Sequence, residues 1–183
     1  MTLTIDQEIR LELTSERHAE GLFEALVHNR EHLSKFLSWV DHMQSVDDFH
    51  SYIKNCESLY GQGMEVSFVI LANEVVVGRI GLHHINDQNK CGAIGYWLTK
   101  DAEGKGIITK ACKALLNYGF RDLRLQRIEI KAAVENVRSQ AIPERLHFVK
   151  EGILRQAELV NNKFLDLVLY SMIRKEWSEE IPD

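Results

Sequence analysis

The sequence predicts an α+β domain built on one mixed sheet of about seven strands flanked by helices. Three observations predict it. The apolar patterns follow the order β-α-α-β-β-β-α-β-α-β-β, which mixes neighbouring antiparallel strands with crossovers. Asn73-Glu74 joins two β-rich runs as a hairpin turn. Gly104 and Gly106 separate an apolar run from a strongly amphipathic segment, so a strand, a turn and a helix start meet at one point.

Each element has its own signal. Ile9, Leu11 and Leu13 alternate with Arg10 and Glu12, a first strand. Ser15 with Glu16 starts a helix carrying Leu22, Phe23, Leu26 and Val27, and residues 29–39 continue as a short helical piece. Residues 44–60 read as an amphipathic helix that ends at Gly61 and Gly63. Residues 66–72 and 75–82 are the hairpin strands, 83–90 a polar loop, and 92–98 the next strand. In the following helix Ile107, Ile108, Ala111, Cys112, Leu115, Leu116 and Phe120 recur at three and four residues and form one apolar face. Residues 127–133 read as a strand, 138–146 as a short helix, and 148–153 and 164–172 as closing strands. The ending, residues 178–183, reads as frayed. No repeat, linker or low-complexity tract interrupts the 183 residues, which read as one domain with a sizeable core.

Composition narrows the function. The net charge of −5 argues against non-specific nucleic-acid binding, where a basic footprint is expected. An anionic ligand then needs a local positive patch, and Lys100, Lys105, Lys110 and Lys113 supply one around the glycine turn; singly, each also suits the wet face of a helix. The three cysteines, Cys56, Cys91 and Cys112, are scattered and give no disulfide framework or metal pattern, and Cys112 falls on the apolar helix face. With no leader and no apolar stretch approaching 18 residues, a cytoplasmic protein without membrane or nucleic-acid partners is expected.

The glycine turn directs the functional reading. A helix start presents unpaired N–H groups and the positive end of a macrodipole, which favours a phosphate. A dinucleotide fingerprint would need glycine where Thr109 stands; a Walker loop would need glycine at Thr99 and Ser or Thr at Gly106. Both fail on residue identity.

The segments GYWLTKDAEGKGIITKACKALLNYGF (95–120) and VENVRSQAIPERLHF (134–148) resemble the GNAT N-acetyltransferases, and within them the RimJ/RimL branch of ribosomal-protein N-terminal acetyltransferases. The early SWVD around Trp39 and the strand pair around Asn161-Asn162 extend the resemblance over nearly the whole chain. It implies a mostly antiparallel twisted sheet with a splayed strand pair at the cofactor cleft. It also implies acetyl-CoA as cofactor, a primary amine as acceptor, most simply a protein N-terminus, and a tendency to form homodimers. The turn Gly104, Lys105, Gly106, Ile107, Ile108 and Thr109 would cradle the diphosphate through backbone N–H groups. Tyr96, Trp97 and Leu98 would pair with the pantetheine arm as an edge pairs with an added strand, and an N–H near Leu98 would hold the oxyanion. Asn136 matches the asparagine that contacts that arm, and Ser139 the serine that protonates the leaving thiolate, with helix capping as its plainer role. Glu103 is the preferred base, with Asp101 and His83 or His84 as alternatives, and no metal is implied. Two positions depart from the family pattern: Asp101 stands where Gln or Arg is usual, and His147 where glycine precedes the phenylalanine. Pro143 cannot donate to the carbonyl near Ser139, which either leaves that carbonyl open to a ligand or simply kinks the helix. Trp39 belongs to the acceptor pocket or to the core.

Three other readings compete. Polyamine or aminoglycoside acetylation would need acids such as Glu12, Asp41, Asp47 and Asp48 in the acceptor cleft. A non-catalytic acyl-CoA-binding module would bind without turnover. An unrelated nucleotide binder would take ATP or NAD.

Overall fold

Eight strands form one sheet in the computed structural model, which describes residues 1–177. They are β1 (Thr2–Thr4), β2 (Ile9–Leu13), β3 (Val66–Ala72), β4 (Val75–Asn86), β5 (Cys91–Leu98), β6 (Arg127–Ala133), β7 (Val149–Val160) and β8 (Lys163–Ile173). Their order across the sheet is β1-β2-β3-β4-β5-β6-β8-β7. Every neighbouring pair is antiparallel except β5 and β6, which run parallel. A parallel pair needs a crossover, and the amphipathic helix α4 (Ile107–Asn117) supplies it.

Both faces of the sheet are covered. The apolar stripe expected on α4 is buried throughout, from Ile107 to Leu116 and on to Phe120, against Phe68, Ile80, Leu82, Ile94, Ile128 and Ile130. Cys112 is plain core, fully buried there, and burial pushes its thiol pKa up. On the opposite face α1 (Ala19–Val27), α2 (Arg30–Leu33) and α3 (Val46–Gly61) bury Leu22, Leu26, Phe49 and Ile53 against Val69, Leu71 and Trp97. Ser45 caps α3 by accepting from the Asp48 N–H while Asp48 bonds back to the Ser45 N–H. The fifth helix, α5 (Val137–Arg145), follows β6.

Several boundaries differ from the sequence reading. The sheet has eight strands because Thr2–Thr4 pairs with β2 as a short edge; three residues carry too little pattern to be read alone. The expected polar loop at 83–90 is strand as far as Asn86, because a long pairing with β5 overrides the local polarity of His83 and His84. The helical piece at 29–39 shrinks to the single turn of α2, with a 3-10 turn at Val40–His42. At Glu16–His18 the chain makes a 3-10 turn before α1 begins. The closing strands are longer than read, and their hairpin turns at Asn161-Asn162, both at positive φ. Asn73-Glu74 has the same signature, φ 49° and 68°, as a primed hairpin turn requires. The frayed ending expected at 178–183 lies outside the described residues.

Candidate functional site

The site begins where two parallel strands part. β5 and β6 pair from Cys91↔Arg127 to Ile94↔Ile130 and no further. Beyond that point β5 stays with β4, through Tyr96↔Ile80, Trp97↔Arg79 and Leu98↔Gly78. β6 stays with β8, through Lys131↔Leu169 and Ala133↔Leu167. Each strand keeps one partner and turns its other edge to the gap. A cleft of about 880 Å³ opens there, within the range of small-molecule and cofactor sites.

The glycine turn closes one end of the cleft. Gly104 and Gly106 have φ of +75° and +73°, a conformation side-chain-bearing residues rarely adopt. A Cβ at either position would meet nothing within 4 Å, so protein packing does not demand glycine there; the backbone conformation does. Gly106 is the N-cap of α4 and offers no side chain to its first-turn N–H groups, and no acid sits in that turn. Ile107, Ile108 and Thr109 line the cleft, whereas Lys105 is exposed and does not.

The opposite wall is α5. Asn136 is its N-cap and accepts from the Ser139 N–H at 3.1 Å, so capping falls to Asn136 and not to Ser139. Pro143, inside α5, provides no N–H for the Ser139 carbonyl. That carbonyl is not left for a ligand, as the sequence had suggested: the Tyr96 hydroxyl donates to it at 2.9 Å. The Ser139 hydroxyl in turn donates to the Tyr96 oxygen at 3.2 Å. Burial holds the Tyr96 hydroxyl well above the ordinary phenol pKa. His147 has φ +61° and sits just past α5, with its N–H on the Glu144 carbonyl and the Phe148 N–H on the Pro143 carbonyl. This is a Schellman ending, so glycine would be favoured at 147 for its backbone conformation rather than for close approach.

Charge is arranged differently from the sequence expectation. The Glu103 carboxylate bridges His32 Nε2 of α2, at 2.9 Å, and the Arg138 guanidinium of α5. Arg145 donates to Thr109 Oγ1 at 3.1 Å and lies against the first turn of α4. Lys110, expected in the positive patch, pairs with Asp6 at 2.7 Å. The cations on the cleft wall are Lys100, Arg138 and Arg145. Sequence reasoning missed both arginines, although Arg138, Ala141, Ile142 and Arg145 follow the helical i, i+3, i+4, i+7 spacing that puts all four on the cleft. It also missed His32 and Phe36, for which nothing local signals a site.

The remaining candidates separate. Tyr96, Trp97, Leu98, Asp101, Glu103, Asn136 and Ser139 all line the cleft. His83 does not: its Nδ1 lies 3.0 Å from Glu65, which also accepts from Arg79. Trp39 stands behind the wall, its ring 6.2 Å from that of Trp97. None of Glu12, Asp41, Asp47 and Asp48 lines the cleft; Glu12 is held by Arg10, Arg17 and His18.

Comparison with known proteins agrees with this geometry. The acetyltransferase (GNAT) domain family matches residues 8–149. The "Putative ribosomal N-acetyltransferase YdaF" of Bacillus subtilis is 36% identical over 98% of this chain and 98% of its own. The "Ribosomal-protein-serine acetyltransferase" of Escherichia coli is 31% identical over 94% of this chain and 96% of its own. Among solved structures, the RimL ribosomal L7/L12 alpha-N-protein acetyltransferase in complex with coenzyme A superimposes with a TM-score of 0.92 at 26% identity, covering 96% of this chain and 99% of that one.

Proposed function

The chain belongs to the GNAT acetyltransferase family, and from that premise we propose that it moves acetyl from acetyl-CoA to the N-terminal α-amine of a ribosomal protein. One observation carries the reading: the gap between β5 and β6 leads from an unpaired strand edge to an α4 N-terminus capped only by glycine. That shape suits a long ligand with an amide-bearing arm and a diphosphate. The arm finds strand-like partners at Tyr96, Trp97 and Leu98, and the diphosphate finds the N–H groups at Gly106, Ile107 and Ile108 beside Arg138 and Arg145. When bound, acetyl-CoA supplies an acetyl group activated as a thioester.

The chain's own residues then have limited work. An α-amine, with pKa near ~7.7–8.0, is neutral in roughly a tenth or more of molecules at pH 7; a lysine amine at ~10.4 is neutral in about one in two thousand. The acceptor therefore needs only weak help in losing its proton. We assign Ser139 to donate to the departing sulfur. Glu103, the base preferred from sequence, has partners on both oxygens, and we assign it to holding Arg138 and His32 at the mouth of the cleft. A polycationic acceptor is poorly served. Of the three carboxylates on the cleft wall, Asp101, Glu103 and Glu135, two are already paired, Glu103 with Arg138 and Glu135 with Lys163.

The test is an acceptor screen with acetyl-CoA, read by mass spectrometry and by thiol release. Peptides copying ribosomal-protein N-termini should gain one acetyl group at the α-amine, and spermidine should not. Acetylation of spermidine alone would overturn the choice of acceptor. Coenzyme A binding without thiol release for any amine would point to a non-catalytic module.

A further inference from the structure

Tyr96 and Ser139 approach each other across the parted strands. Tyr96 rises from β5, and Ser139 sits in the first turn of the helix that follows β6. Their two contacts are not equivalent. The tyrosine proton is spent on the Ser139 carbonyl, at 2.9 Å. The second contact, at 3.2 Å, therefore has the serine as donor and the tyrosine oxygen as acceptor. Pro143 supports this order. With any other residue at 143, a backbone N–H would also bond the Ser139 carbonyl, and the tyrosine would no longer be that carbonyl's sole donor. The contact thus holds one serine side chain in a single rotamer on the cleft wall.

We propose that Tyr96, anchored on the Ser139 carbonyl, is a positioning residue that holds the Ser139 side chain in the rotamer from which its hydroxyl can turn to the departing thiolate. This deepens the acetyltransferase reading and rests on it. At rest Ser139 donates to Tyr96. When negative charge develops on sulfur, Ser139 turns its O–H from the phenol oxygen to the sulfur. The Ser139 O–H bond breaks as the S–H bond forms, and the proton lost by the amine on becoming an amide returns to the serine oxygen. Tyr96 keeps its own proton throughout, and no charge remains on either hydroxyl.

The experiment measures the thiol pKa of coenzyme A bound to the whole protein, from its thiolate absorbance, together with kcat and the Kd for coenzyme A. In the wild type the bound thiol should titrate about one unit below the free thiol, a tenfold preference for thiolate. Ser139→Ala should abolish the shift. Tyr96→Phe should remove at least half of it and lower kcat about tenfold, with Kd within twofold of wild type. Adding Pro143→Ala to Tyr96→Phe restores an N–H to the Ser139 carbonyl. If Tyr96 only satisfies that carbonyl, the double variant recovers both kcat and the thiol shift, and the proposal is wrong. If Tyr96 positions the hydroxyl, the double variant stays impaired. A Tyr96→Phe protein with wild-type thiol titration and kcat also overturns the proposal. A wild type that binds no coenzyme A would instead remove the reading on which the proposal rests.

Discussion

The two halves of β5 meet different physics. Cys91–Ile94 is held on both edges, by β4 and by β6. Gly95–Leu98 is held on one, and its other edge faces a cleft. Composition does not separate the halves, since both are apolar with glycine included. An open edge arises here by withholding a partner strand rather than by adding polar residues. The closed half serves stability, and the open half gives up one strand partner to leave the edge the proposed cofactor would use.

The comparison predicts that damage to the closed half unfolds the protein, whereas damage to the open half empties it. The largest effect belongs to Ile130→Ala, which removes a buried side chain from the last closed pair. It should cost about 2–5 kcal/mol. At about 2–4 °C per kcal/mol for a chain of this size, thermal melting should fall by roughly 4–20 °C. Gly106→Val, in the turn that closes the cleft beyond the open half, forces a branched residue into positive φ at about 1–2 kcal/mol. Its mark should be on binding, and titration calorimetry should find coenzyme A affinity reduced by at least about tenfold, beyond the modest fall in Tm. If Gly106→Val melts earlier than Ile130→Ala and still binds, the division between the halves fails.

Smaller effects sharpen the picture of the cleft mouth. Glu103→Gln frees Arg138 and removes an anion from the end of the cleft proposed for the diphosphate. An exposed ion pair is worth about 0–1 kcal/mol, so coenzyme A should bind about two- to fivefold more tightly, with kcat within twofold. A fall in kcat of about 10²-fold or more would make Glu103 the general base instead. His147→Gly should be smallest. It relieves a left-handed histidine at the end of α5 but loosens the unfolded chain, for a net gain of roughly 0.5–1 kcal/mol and about 1–4 °C in Tm, with binding unchanged.

Much of this architecture was legible in local pattern. The stripe from Ile107 to Phe120 is buried as its period requires, and Asn73-Glu74 turns as its residue types require. Gly104 and Gly106 were legible as a turn, and within the protein the need there is for positive φ and not for packing space. The partners of Glu103 were not legible, because His32 lies 71 residues away and Arg138 lies 35 away. His83 was misread as the start of a polar loop, because its pairing with Ala93 is decided by the neighbour strand. Pro143 spares the Ser139 carbonyl a helical donor as read, yet the donor that takes its place, the Tyr96 hydroxyl, stands on β5.

By itself, the order of residues determined the periodicities, the turns and the helix start that can hold an anion, because these depend on neighbours within a few positions. Only the tertiary structure decided where β5 and β6 part, which charges face one another across the gap, and that Tyr96 reaches Ser139. Those outcomes depend on the separate partners, β4 and β8, that each strand keeps after Ile94 and Ile130, and no local stretch of the chain encodes such a choice.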